Sequence, residues 1–116
     1  MVNAALAELL RSAPGAGELS GVGVRVGRAE HPVCGDEVEV YLRLDGDVVT
    51  EFAWRARGCP ACVAVAAAAH GVVAGATLAD AAARVARRVA VLGGLAPHER
   101  HALALFDAAL ARVAVV

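Results

Sequence analysis

Glu37-Val38-Glu39-Val40-Tyr41-Leu42-Arg43-Leu44-Asp45-Gly46 is the stretch from which the fold can be read. Val38, Val40, Leu42 and Leu44 alternate with Glu37, Glu39, Tyr41 and Arg43, the two-residue period of a strand with one buried and one wet face. Asp45-Gly46 follows at once, and glycine tolerates the positive φ that a tight hairpin turn demands. The chain should therefore return as a strand over about 48–57, with Thr50, Phe52, Trp54 and Ala56 on one face. Upstream, Val22, Val24 and Val26 alternate with Gly23 and Arg25, which predicts a short strand before the hairpin. The three together predict an antiparallel meander.

On either side of the meander the apolar period becomes helical. Leu6, Leu9 and Leu10 predict a helix over 3–12 that stops at Ser12-Ala13-Pro14-Gly15. After Gly58, Cys59-Pro60 reads as a helix start, because proline at the first helical position gives up no hydrogen bond. That helix should run over about 60–74 and, being apolar nearly all round, should be buried on more than one side. Thr77-Leu78-Ala79-Asp80 resembles a capping box with Asp in place of Glu. It should open a helix whose core stripe is Leu78, Ala82, Val85, Val89 and Leu92, ending at Gly93-Gly94. A last helix over about 97–114 should bury Leu103, Phe106, Leu110 and Val113. One helix, three strands and three helices predict a single α+β domain over 1–116, its helices on one face of the sheet.

Composition narrows the function by exclusion. The 116 residues include 29 alanines and are 59% hydrophobic but only 3% aromatic, so the interior should be alanine and valine packed closely. Formal charge is −1, which leaves no overall basic footprint for nucleic acid. All 11 basic residues are arginine, which excludes Schiff-base or lysine-base chemistry. Residues 58–79 carry no formal charge, but Pro60, His70, Gly71, Gly75 and Thr77 and the weakly apolar alanines argue for a buried helix and turn, not a membrane span. The first ten residues lack the pattern of a signal peptide, and three cysteines cannot pair fully. Both point to a reduced, cytoplasmic setting in which thiols serve metal binding or reactivity.

Those thiols and their neighbours are the candidates for chemistry. In His31-Pro32-Val33-Cys34-Gly35-Asp36, glycine between a thiol and a carboxylate permits a turn sharp enough for both to converge. Cys59 lies at a helix N-terminus, where the partial positive charge of free N–H groups favours thiolate. Cys34 leads into the second strand and Cys59 leaves the third, so an antiparallel pair brings both to one end of the sheet. Cys62 forms C-x-x-C with Cys59, and on a helix both could face one side. The pair fits half a zinc site, a redox pair, or one functional thiol beside a packing thiol. His70, amid alanines, reads as a core or interface histidine. His98 and His101 read as solvated, and His101 can reach a site only if the last helix begins near it.

His-Pro-x-Cys-Gly-Asp, the strand-Asp-Gly-strand after it, and Arg57-Gly58-Cys59 ahead of an alanine-rich helix resemble the iron–sulfur cluster assembly scaffold family of IscU, SufU and the NifU N-terminal domain. The resemblance spans 27 to about 112. It implies an IscU/SufE-like α+β fold, sulfur received from a cysteine desulfurase, and a transient iron–sulfur cluster or zinc, later passed to acceptor proteins. It carries ligand roles onto Cys34, Asp36 and Cys59. The family's third cysteine, expected just before the last helix, is replaced by Ala102, preceded by His101. Cys62 or His101 could take its place. A stretch that a chaperone would recognise reads Leu95-Ala96-Pro97-His98-Glu99, away from the family pattern. The expected function is thus a non-enzymatic scaffold or sulfur acceptor. The alternative is a divergent zinc-binding paralogue acting as a structural or regulatory interaction module, and a third reading makes Cys59 and Cys62 a thiol-transfer pair.

Overall fold

The computed structural model describes residues 2–113. Its elements are α1 (Ala4–Ser12), β1 (Arg25–Glu30), β2 (Glu37–Asp45), β3 (Val48–Arg57), α2 (Pro60–His70), α3 (Leu78–Val91), a 3-10 turn (Pro97–Glu99) and α4 (His101–Ala111). The strands form one antiparallel sheet in the order β1-β2-β3. Gly46, at φ 63°, turns the hairpin as its sequence requires. Val38, Val40 and Leu42 of β2 are fully buried beneath the helices: α2 lies on β3 and β2, and α4 on β1 and β2. α1 and α3 pack in turn on α2. The fold is the expected α+β sheet with its helices on one side.

Alanine decides how closely these layers approach. Ala61, Ala64, Ala66, Ala67, Ala68 and Ala69 of α2 are buried on every side of that helix. Gly27 does the same for α4, since a Cβ there would lie 2.1 Å from the Ala109 carbonyl oxygen. The start of α1 is tied to the end of α3, because the Asn3 side chain accepts from Leu6 N–H and donates to the Gly94 carbonyl. At the head of α3 the Thr77 hydroxyl accepts from Asp80 N–H at 3.2 Å, the cap read from the sequence.

Local differences from the sequence reading have physical causes. The first strand begins at Arg25, and Val22 is exposed: Gly21 and Gly23 adopt φ of 99° and 85°, and Arg43 binds the Ser20 and Val22 carbonyls of that loop. Thr50 does not share a face with Phe52, because Arg43 pairs with Glu51 and Leu44 with Val49, a bulge that leaves Thr50 exposed with its hydroxyl on the Arg43 carbonyl. α2 ends at His70, not 74. In α3 the fully buried stripe is Ala81, Val85 and Val89, with Leu78, Ala82 and Leu92 only packed against it. The last helix is broken at Arg100, the Glu99 carboxylate accepting from Ala96 N–H to close a separate turn. Ala102, Leu105 and Ala109 join Phe106, Leu110 and Val113 in its buried face while Leu103 is half-buried, and residue 114 lies outside the described residues.

Candidate metal centre

The end of the sheet where β2 begins and β3 finishes gathers the donor atoms. Asp36 lies immediately before β2, Cys59 immediately before α2, Cys62 in the first turn of α2, and His101 opens α4. One ligand atom from each of Asp36, Cys59, Cys62 and His101 lies within 4.8 Å of the other three. His101 reaches them because α4 starts at that residue, the condition its sequence position imposed.

Each side chain has an identifiable support. Asp36 is buried, 5% exposed, and its Oδ1 accepts from Cys59 N–H at 3.1 Å, which leaves Oδ2 facing Cys62 Sγ at 3.7 Å and His101 Nε2 at 3.2 Å. This approach demands glycine at 58. Gly58 has φ 108°, and a Cβ there would fall 2.2 Å from Asp36 Oδ1. Pro60 at the first helical position directs the chain from Cys59 into α2, so Cys62 follows one turn on. His101 Nδ1 is 3.2 Å from the His98 carbonyl, and a hydrogen on Nδ1 satisfies that oxygen and leaves the Nε2 lone pair for a ligand.

Two thiols, a carboxylate and an imidazole on one point suit zinc or iron, whereas calcium or magnesium would call for oxygen donors throughout. The Cys62 thiol is pushed up to about 12, first by burial and then by the Asp36 carboxylate and Cys59. A cation bound there would have to displace its proton.

Cys34 takes a different position. The sequence grouped its sulfur with that of Cys59, but Cys34 is exposed on the turn before β2 and is not one of the four. That turn is closed on itself: His31 N–H donates to the Asp36 carbonyl at 2.7 Å and Gly35 N–H to the His31 carbonyl at 2.9 Å. His31 Nδ1 accepts from Val33 and Cys34 N–H, and Gly35 at φ 72° swings the tip outward. The His31 ring stands edge-on to His101, centroids 5.7 Å apart. This clamp was missed in the sequence, although the His-Pro opening of the motif was its signal.

The sequence profile of the NifU-like N terminal domain matches residues 10–116. The chain belongs to the NifU-like N-terminal domain family. It is 37% identical over 101 residues to the bifunctional protein NifU/MnmA of Rubrobacter xylanophilus, a match covering 84% of this chain and 20% of that protein. It is 31% identical over 91 residues to the iron-sulfur cluster assembly scaffold protein IscU 1 of Archaeoglobus fulgidus, covering 78% of this chain and 60% of that one. The chain thus spans less than two thirds of the length of these relatives. Among solved structures, the NifU-like protein (N-terminal) of Brucella abortus superposes with a TM-score of 0.62 at 28% identity, covering 93% of this chain and 76% of that one. A scaffold protein for the SUF system from Fervidobacterium islandicum gives a TM-score of 0.65 at 17% identity over 91% of this chain and 82% of that one, which bears on the fold alone. Among the described residues of this NifU-like chain, no helix is long and apolar enough to cross a membrane.

Proposed function

We propose that this NifU-like chain is a scaffold and sulfur acceptor of iron–sulfur cluster assembly, working in the cytoplasm as a carrier and not as an enzyme. The observation that carries the reading is the convergence of Asp36, Cys59, Cys62 and His101. Cys62 and His101, the two candidates to stand in for the family's third thiol, both have a ligand atom in that set, which supports a site that uses both. The nascent cluster is cargo, held by Cys59 and Cys62 through sulfur, by His101 through nitrogen and by Asp36 through oxygen. Asp36 is the weakest donor for soft iron–sulfur chemistry and so the natural point of release. Zinc fits the same four donors at tetrahedral geometry.

Cys34, exposed two residues before Asp36, is the thiol accessible to a cysteine desulfurase. As thiolate it attacks the terminal sulfur of the desulfurase persulfide. The old S–S bond breaks, the desulfurase cysteine leaves as thiolate, and the sulfur now sits on Cys34 as a persulfide. Acceptor proteins would then take the completed cluster. Anaerobic incubation with ferrous iron, cysteine and a desulfurase tests the reading. A visible-region absorption band lost on Cys59→Ser is expected. No band, together with no zinc or iron in the purified protein, would overturn it.

A further inference from the structure

At the opposite end of α2 from the four donors, the exposed side of α3 carries a charged groove of about 360 Å³ lined by Val72, Arg84, Arg87, Arg88 and Val91. Positions 84, 87, 88 and 91 are i, i+3, i+4 and i+7 of one helix, so the four side chains form a single row that flanks the buried stripe of Ala81, Val85 and Val89, with the half-buried Arg88 at its inner edge. Their charges are unbalanced. Five other arginines are matched by carboxylates: Arg11 by Glu8, Arg28 by Glu30 and Glu37, Arg43 by Glu51, Arg55 by Glu18, and Arg57 by Glu37. Arg84, Arg87 and Arg88 have no ion pair or side-chain hydrogen bond among the described residues.

Three like charges at helical spacing repel one another. Asp80, four residues before Arg84 and correctly placed for an ion pair, makes none among the described residues. Arg88 lies against the end of α2, where the missing side chain of Gly71 makes room: a Cβ there would be 2.6 Å from its Nη1. Its Nε is buried without a hydrogen-bond partner among the described residues. Val91, at the end of the row, is 80% exposed.

We propose that this groove is a docking surface for an acidic helical segment of a partner protein, its carboxylates on Arg84, Arg87 and Arg88 and an apolar side chain against Val72 and Val91. Charge complementarity selects the occupant. The straightness of the row and the open groove with a valine at either side suit a helix laid alongside α3, whereas a small phosphorylated ligand would want an enclosed pocket with more polar donors. Because the row and the metal centre lie at opposite ends of α2, a partner can remain docked while the centre is filled or emptied.

The test uses the full chain and a fluorescein-labelled helical peptide with glutamates at i, i+3 and i+4 and leucine at i+7, followed by anisotropy. Saturable binding is expected, weakening about ten-fold or more as NaCl rises from about 50 to about 300 mM. Arg84→Glu/Arg87→Glu should lose the peptide and bind its lysine-substituted counterpart instead. Backbone amide shifts on titration should be confined to α3 and the segment around Val72. Thermal unfolding and zinc content report whether the variant is folded, with Arg84→Gln/Arg87→Gln as a milder substitute. Equal binding by wild type and either variant, or no saturable binding at low salt, would sink the proposal. So would tripolyphosphate occupying the groove more tightly than the peptide. Zinc or iron loading is read separately in the same proteins, so failure of the docking surface and failure of the scaffold reading are distinct results.

Discussion

At the scale of single residues, Gly58 decides whether the centre exists. Any side chain there must both adopt φ 108° and displace the Asp36 carboxylate, whose Oδ1 a Cβ would approach to 2.2 Å. Gly58→Ala should therefore cost about 1–3 kcal/mol in urea unfolding from backbone strain and lose zinc binding as well. Cys62 and Cys34 should separate by function. Losing a residue that merely orients a ligand costs about 10–100-fold in metal affinity. Cys62→Ser, which removes a ligand itself, should lower zinc affinity at least that much in a competition titration with a chromophoric chelator. Cys34→Ser should leave zinc affinity unchanged but abolish sulfur uptake from a desulfurase, read by mass spectrometry as loss of the persulfide adduct. Spacing made it legible that the turn holding Cys34 and Asp36 meets Cys59 at one end of the sheet, because an antiparallel hairpin must return its two ends to the same place. The ligand roles themselves came from the family resemblance. The direction of Cys34 was not legible. It depends on Gly35 at φ 72° and on two hydrogen bonds to His31 Nδ1, torsional choices that residue types at fixed spacing leave open.

At the scale of elements, the meander was readable because period and turn chemistry agreed over Glu37–Arg57, and its bulge was not, because one extra residue at Thr50 changes no composition. The site end of the sheet is tied across all three strands by Glu37, which receives Arg28 at 2.6 Å and Arg57 at 3.1 Å. The hydrogen bond from Arg28, with that from Arg57 and the charge of both, holds the Glu37 carboxyl down at about 2, against 4.5 ordinarily. The unfolded chain then takes up its proton first as pH falls. The stabilisation is complete above pH 4.5 and disappears as pH drops through 2. Glu37→Gln should flatten that part of the stability-against-pH curve in chemical denaturation, and high salt should shrink the difference between the two proteins. The seat of α4 was invisible in the sequence, since a strand glycine reads as a weakness until its neighbour is known. Gly27→Ala should drive α4 off β1, because the obstacle is the Ala109 carbonyl and not a flexible side chain. Overpacking of this kind costs about 1–3 kcal/mol, and His101 should move from Asp36 with the helix, weakening zinc binding alongside stability.

At the scale of the whole molecule, the four donors come from three separate parts of the chain: the turn before β2, the start of α2 and the start of α4. These parts already meet through the core, where α2 and α4 share the buried face of β2. A cation bound there adds a second connection among the same elements, one that the unfolded chain cannot form with comparable affinity. Binding to the folded state alone stabilises by about 2.7 kcal/mol when free metal exceeds Kd a hundred-fold, and for a domain of this size that corresponds to a rise of about 10 °C in Tm. Scanning calorimetry of the chelator-stripped protein, with and without excess zinc, should show that rise. Cys62→Ser and His101→Ala should each remove most of it while leaving the Tm of the stripped protein closer to wild type. The comparison is decisive because the ligands are distributed: a cation held at an incidental surface site would touch one element only, and neither substitution would then alter the increment. A Tm indifferent to zinc in the wild-type chain would show that the convergence of Asp36, Cys59, Cys62 and His101 is packing, with no metal role to follow from it.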